Sequence, residues 1–453
     1  MDLLIAFAFY WGVWLVVPIL IDGFTTVVSL TAVLIARARR ALHEHPPPDY
    51  YPLVSIIVPV YQSADTLEAC LRSLAAQDYP SVRMEVLVID NGSTDDSFAV
   101  FARLQRDLPL RLHWHSIINR GKAWALNAGI HLTQGEFVFN VDSDVVLAPQ
   151  AIRRVVETMA AEPDLGAVTG AIEVLPPGEG LGGLQRALAE CEYFEYITAF
   201  HVGREHQTLL QNLYTLSGAF TAFRREVLFK TYLYSNETIT EDTDLTFELY
   251  ERALDKRIGC VSSAIAYVHP IESLGALYSQ RVRWQHGQIE VSARHQGLLK
   301  GSFWRISGFS PARVLAVDHT LAFPRLVWTF LLPVLALFGY SLAMVLMAWV
   351  VLYAFYLLVD LAWVGVAWLG TNAEARRRLR QIWWLLPALP LYRMLIFWFR
   401  FSGFLHAVAE PGVWRAPNPV EQLRRAYAQL IEQGRNLLER LSRPAEKTVK
   451  PDY

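Results

Sequence analysis

The sequence predicts an α/β domain with a mostly parallel sheet, joined to transmembrane and interfacial α-helices. Three observations carry this expectation. Between residues 53 and 300, short β-rich runs alternate with helical patterns, as they do where crossover helices link parallel strands. Outside that stretch, apolar runs at 3–35 and 326–369 are long enough to cross a bilayer. The 453-residue chain is 53% apolar with a positive mean hydropathy, above the share of about 45–50% usual for soluble domains.

Composition also excludes several classes. Disorder and collagen-like repeats are incompatible with so apolar a chain. With 41 basic against 43 acidic residues there is no general field for nucleic acid. The arginines cluster beside the apolar runs instead, which points to membrane lipids. Cys70, Cys191 and Cys260 are far apart and odd in number, so they make neither a disulfide framework nor a zinc site, and a reducing compartment fits.

Residues 1–36 predict an N-terminal transmembrane helix, because 3–35 as one helix would span ~50 Å, a crossing plus an extension. Arg37, Arg39 and Arg40 follow it, placing residue 40 in the cytoplasm by the positive-inside rule. Residues 37–52, with HEHPPPDYYP, predict a proline-stiffened linker. Within the cytoplasmic domain, 53–300, the runs 55–61, 84–90, 112–117 and 136–142 predict strands, with helices over 64–77 and 122–134. Ligands of such a sheet bind at the carboxyl ends of its strands, so site residues are sought just after them.

Residues 301–325 mix Trp, Phe and Arg with an apolar face and predict an interfacial helix. Residues 326–370 predict a transmembrane hairpin, since only Asp360 is charged over 326–369, with its outer turn near Gly339, Tyr340 and Ser341. Residues 371–410 predict a cytoplasmic loop, carrying four arginines in TNAEARRRLRQ, and then an interfacial or re-entrant segment over 382–408. A true crossing there would put the tail, 411–453, outside. That tail predicts a cytoplasmic amphipathic helix.

Five stretches suggest chemistry. VDSD (141–144) sets Asp142 and Asp144 at a strand end, where paired carboxylates suit a hard divalent ion, Mg²⁺ or Mn²⁺, and a nucleotide diphosphate; a simple turn is the alternative. VIDNGSTDDS (88–97) ends a strand at Asp90, able to accept from a base or ribose or to close a turn. In NRGKAWALN (119–127), Lys122 opens a helix and is the only lysine before position 230 among six in the chain; helix amides and an ammonium suit phosphate. TITEDTDLTFEL (238–249) puts Glu241, Asp242 and Asp244 at a helix start, where the dipole favours acids and capping accounts for one or two of them. YSQRVRWQHGQIE (278–290) groups Gln280, Arg283 and Trp284 within one turn of a helix, fit to bridge phosphate and stack on a sugar; a plain amphipathic face is the alternative.

In this order and spacing, the five stretches resemble the family 2 membrane-integrated inverting glycosyltransferases, the group that includes hyaluronan, cellulose, chitin-oligosaccharide and poly-N-acetylglucosamine synthases. The resemblance covers roughly 53–300 by motif and implies a GT-A-like nucleotide-sugar-binding fold. It implies that Pro59, Tyr61 and Asp90 hold uridine and Lys122 the diphosphate, while Asp142 contacts ribose or metal and Asp144 coordinates the metal. Asp242, in Thr240-Glu241-Asp242, would be the catalytic base. Gln280, Arg283 and Trp284 would close over the pyrophosphate and floor the acceptor site, and Gly218 in SGAFTAF (217–223) would line it. PGVWRAP (411–417) resembles the gating loop of hyaluronan synthase-like enzymes, two residues short, with Trp414 and Arg415 as its contacts. Asn91 stands where many relatives carry a second acid.

The resemblance thus implies a plasma-membrane, multi-pass enzyme with a cytoplasmic catalytic domain, moving sugar from a UDP-sugar to a growing β-linked polysaccharide, processively and coupled to export. Three crossings are few for the walls of a sugar channel, which leaves room for a second copy or a secretion partner. The alternatives are a single transfer to a lipid-linked phosphate acceptor and a silent membrane scaffold, against which the acids at 142, 144 and 242 argue.

Overall fold

A computed structural model describes residues 22–41, 50–118, 121–178, 180–253, 255–305, 307–315 and 333–409. Strands β1 (Val54–Val60), β2 (Met84–Asp90), β3 (Arg111–Ser116) and β4 (Phe137–Val141) form the parallel half of an eight-stranded sheet. β1, β2 and β4 are buried along their whole length, as the unbroken β-rich runs require when helices cover both faces. The helices between them are α1 (Phe24–Ala41), which precedes the sheet, then α2 (Leu67–Ala75), α3 (Ser97–Asp107) and α4 (Lys122–Leu132).

The second half consists of β5 (Val146–Leu147), β6 (Leu165–Val174), β7 (Phe220–Arg224) and β8 (Arg257–Val268), in the overall order β3-β2-β1-β4-β7-β6-β8-β5. β7 runs antiparallel to both β4 and β6, while β6 and β8 are parallel. Chain direction therefore diverges at β1 and β4, and their carboxyl ends frame a crevice of the kind that receives ligands. The ladder from β1 to β4 ends at Ile57 and Asn140, two residues short of Pro59, which has no N–H to offer it.

Further helices complete the domain: α5 (Ala151–Ala161), α6 (Gly183–Thr198), α7 (Arg204–Leu209), α8 (Glu241–Arg252) and α9 (Leu274–Arg294). Beyond it come α10 (Leu342–Gly370), α11 (Ala373–Ile382) and, after a 3-10 turn over Trp383–Ala388, α12 (Leu389–Ala409). Among the described residues, Leu342–Gly370 and Ala373–Ala407 are long and apolar enough to cross a membrane.

Three expectations need adjusting. Helix α1 continues to Ala41, past the expected linker start at 37, because its sequence is helix-forming and Arg39 and Arg40 complement the helix C-terminus. The expected interfacial helix over 301–325 does not form across 301–310, where Gly301 and Gly308 adopt positive φ; a helical turn begins at Pro311–Val314, and 316–325 lie outside the described residues. The expected hairpin shows one long helix after a break at Gly339 (φ +89°); the described end of its first arm is a 3-10 turn over Pro333–Phe338, and residues 326–332 and most of the expected N-terminal crossing lie outside the described residues.

Arginines tie helices α1, α10 and α11 to the domain. Arg37 of α1 bonds Glu205 (2.9 Å) and the carbonyls of Val366 (2.8 Å) and His201 (2.7 Å), and Arg40 also pairs with Glu205. Arg378 of α11 bonds Glu190 of α6 at 2.8 Å.

Candidate active site

The centre of the site lies where β4 ends and α4 and α8 begin. Gly121 takes φ +104°, a backbone that glycine adopts without strain, and turns the chain into α4 so that Lys122 opens the helix. Lys122 Nζ lies 2.6 and 2.8 Å from the two carboxylate oxygens of Asp142, at the end of β4, and 3.6 Å from Glu241. Next to Glu241, Asp242 accepts the Gly218 amide at 3.0 Å and its neighbour Thr243's amide at 2.7 Å. A Cβ on Gly218 would stand 3.2 Å from Asp242 Oδ2 and 3.5 Å from Lys122 Nζ, so glycine lets all three groups share one space.

The third acid of this helix has a different task. Asp244 is buried and accepts from His295, the residue that caps the C-terminus of α9, at 3.0 Å. Of the three carboxylates at the start of α8, two face the lysine and one holds the fold.

Electrostatics follow from this packing. Burial pulls the Lys122 ammonium down, but Asp142, Glu241 and Asp242 outweigh it and hold the group above its ordinary value. Burial pushes Asp142 up to about 6, partly offset by Lys122 and reinforced by Asp144. Asp242 is likewise raised, by burial and then by Glu241, against the pull of Lys122 and two backbone amides. A carboxylate above its usual range is a better proton acceptor near neutral pH.

The crevice side is latched by side chains. Asp90 ends β2 and accepts the Ser93 amide at 2.9 Å, so one of its oxygens closes the turn. Tyr61 is exposed beyond β1. Gln62, at φ +52°, spans to the next loop, accepting the amides of Thr94 and Asp95 and donating to Thr94 Oγ1. Ser63 and Ser143 hydroxyls meet at 2.8 Å, tying the β1 loop to the Asp142–Asp144 turn. Asp144 itself is exposed.

Helix α9 closes the opposite side. Gly287 approaches Thr240 so closely that a Cβ would stand 2.4 Å from its side chain, and Glu290 accepts the Ile239 amide at 3.0 Å. Gln280, Arg283 and Trp284 precede Gly287 by seven, four and three residues and so share its face of the helix. Gln280 also meets the hydroxyl of Tyr196 on α6.

The structure thus brings Lys122, Asp142, Gly218, Thr240, Glu241 and Asp242 together. Pro59, Tyr61, Asp90 and Asp144 stand at the neighbouring strand ends, and Gln280, Arg283 and Trp284 on the adjoining helix. Trp414 and Arg415 lie outside the described residues. Sequence reading passed over Asn140, which donates to the Gly218 carbonyl at 2.7 Å, and Tyr234, buried against Asn140 beside the acids. Neither sits in a motif; their only signal is spatial.

Comparison with known proteins agrees with the architecture. Residues 55–230 match glycosyl transferase family 2. The poly-beta-1,6-N-acetyl-D-glucosamine synthase of Staphylococcus epidermidis is 29% identical over 241 residues, 53% of this chain and 56% of that protein. The synthase of the same name from Staphylococcus aureus strain MSSA476 matches to the same extent. The matched region thus spans about half the length of these curated relatives. In fold, the chain is similar to a mannosyltransferase from Pyrobaculum calidifontis solved with GDP-Man and Mn²⁺, with TM-score 0.52, 20% identity, and coverage of 86% of this chain and 99% of that one.

Proposed function

We propose that this chain, a glycosyltransferase carrying a family 2 domain on a GT-A-like fold, is a membrane-bound inverting enzyme. It moves a sugar from a UDP-sugar to a growing β-linked polysaccharide. The observation that carries this reading is the convergence of Lys122, Asp142, Glu241 and Asp242 around the Gly218 amide. Lys122 there offers an ammonium to a diphosphate oxygen, the surplus of acids calls for a divalent ion between Asp142 and the diphosphate, and Asp242 is left to take a proton.

In the step itself, the acceptor hydroxyl oxygen bonds to the anomeric carbon as the bond from that carbon to the diphosphate breaks. Asp242 takes the hydroxyl proton, and the electron pair leaves on UDP. Lys122 and Arg283 offset the charge that grows on the leaving group. A single base with no carboxylate nucleophile gives inversion. Asp142 and Asp144 are hard oxygen donors whose charges already oppose one another, so they fit Mg²⁺ or Mn²⁺. Such an ion supplies Lewis-acid stabilisation of the diphosphate. Pro59, Tyr61 and Asp90 frame the uridine, and Gln280 and Trp284 the acceptor side.

The two long apolar helices and the arginine ties to α1 and α11 support a catalytic domain held against the inner face of a plasma membrane. The test incubates purified protein with a panel of radiolabelled UDP-sugars and Mg²⁺ or Mn²⁺, then sizes the product. Long polymer supports the reading, and a single added sugar on a lipid phosphate would replace it. The Asp242→Asn variant is expected to lose transfer while binding UDP as the wild type does; wild-type turnover in that variant would remove Asp242 as base.

A further inference from the structure

The motif Gln-x-x-Arg-Trp leaves its second residue unspecified, yet here that residue is one of the most constrained in the domain. Arg281 is only 4% exposed. Its guanidinium lies 4.5 Å from the Trp284 ring centroid and 5.7 Å from that of Tyr196, and Nη2 donates to Glu195 at 2.8 Å. The same Glu195 oxygen accepts the Tyr392 hydroxyl of α12 at 2.9 Å. Tyr196 in turn meets Gln280. A buried cation needs its partner, so the guanidinium cannot swing away without leaving Glu195 uncompensated. A planar cation fixed against one face of an indole also fixes the plane of that ring and leaves the other face to stack on a sugar.

We propose that Arg281 is a positioning residue that sets the Trp284 ring for the acceptor, and that Glu195 and Tyr392 hold it in place from α6 and α12. This inference rests on the proposed function, because it presumes that Trp284 floors the acceptor site. It assigns a role in acceptor placement, and none in donor binding, to residues outside the motif's named positions.

The variants Arg281→Lys and Tyr392→Phe test it. The lysine keeps the charge and loses the plane; the phenylalanine keeps the ring and loses one hydrogen bond. For each, two rates are measured with the UDP-sugar that the wild type turns over: transfer to acceptor and release of free sugar to water. UDP affinity is measured by calorimetry. The ratio of transfer to hydrolysis is expected to fall about tenfold in Arg281→Lys and about threefold in Tyr392→Phe, with KM for acceptor raised. UDP affinity is expected to stay within about twofold, since neither change touches the lysine–carboxylate centre. An unchanged ratio in either variant overturns the proposal, as does an equal loss of transfer, hydrolysis and UDP binding, which is what mere structural damage produces. Failure of the wild type to transfer any sugar strikes the proposed function instead, and is read from a different sample.

Discussion

Replacing Gly287 with alanine sets two effects of opposite sign against each other. Gly287 is inside α9, where alanine is ordinarily more favourable than glycine by about 1 kcal/mol. Here the new Cβ would stand 2.4 Å from both Oγ1 and Cγ2 of Thr240 and 2.9 Å from its Cβ. Carbon atoms settle at about 3.5–4.0 Å, so helix and threonine must part by about 1 Å. Thr240 is short and β-branched, and its side chain cannot swing clear without moving the backbone that carries Glu241 and Asp242. Overpacking costs about 1–3 kcal/mol, enough to cancel the gain in helix propensity. A displacement of about 1 Å at a reacting group costs about 100-fold in rate. The expected result is therefore a protein of near-normal stability with kcat reduced on the order of 100-fold and UDP affinity altered far less. Gly275→Ala, in the first turn of the same helix with nothing within 4 Å of the added methyl, serves as the control and keeps wild-type turnover. Assays of kcat, UDP binding and thermal denaturation in detergent decide it. A Gly287→Ala enzyme with kcat within about twofold of wild type would refute the claim that α9 sets the position of the acid-bearing segment.

Lys122→Ala removes the one cation that, among the described residues, pairs with Asp142 and Glu241, so transfer is expected to fall about 100- to 1000-fold and UDP affinity to weaken, read by product formation and calorimetry; unchanged UDP binding would take Lys122 off the diphosphate. Burial, against an Ile271 amide and Arg281, pushes Glu192 up to about 7. The folded protein therefore holds a proton that the unfolded chain releases, so stability present below pH ~4.5 falls by roughly 3 kcal/mol as pH rises towards 7. Glu192→Gln should flatten that slope in thermal melts between pH 5 and 8, and parallel slopes in the two proteins would exclude this carboxyl as the source. Arg37→Leu leaves Glu205, 3% exposed, with the more exposed Arg40 as its one ion-pair partner among the described residues. It is expected to cost about 3 kcal/mol in detergent, and an unshifted denaturation curve would show that α1 does not brace the domain.

The parallel half of the sheet was legible because β1, β2 and β4 are continuous buried runs that stop at polar turns, a local signal. The antiparallel half was not. β5 has two residues, and β6 is written with alanines and glycines because a side chain at Gly170 would strike Phe220 of β7 and the Ala264 carbonyl of β8. Small residues chosen for close approach carry no period that a sequence window detects. The site divides in the same way. Lysine, paired aspartates and the acidic helix start were visible as residue types, but which of the three acids at the start of α8 faces the lysine depends on His295, 51 positions downstream of Asp244.

Helix α9 has two packing faces, and they link the candidate site to the apolar helix α12. Gln280, Arg283, Trp284 and Gly287 lie along the face that meets Thr240. Tyr278, Val282 and Gln285 lie along the one that meets α12, where Tyr278 bonds Ser402 at 2.6 Å and Arg400 bonds Gln285 at 3.0 Å. Gly403 there approaches so closely that a Cβ would stand 2.8 Å from Gln285 and 2.9 Å from the Val282 carbonyl. Glycine on α9 thus lets the Thr240 side chain, just before α8, pack closely on the motif helix, and glycine on α12 lets the apolar helix approach the Val282 backbone of the same helix. Packed layers transmit displacement instead of absorbing it. A shift of α12 against α9 is therefore expected to reach Trp284 and Thr240, which on the proposed function would tie the apolar helix to acceptor placement.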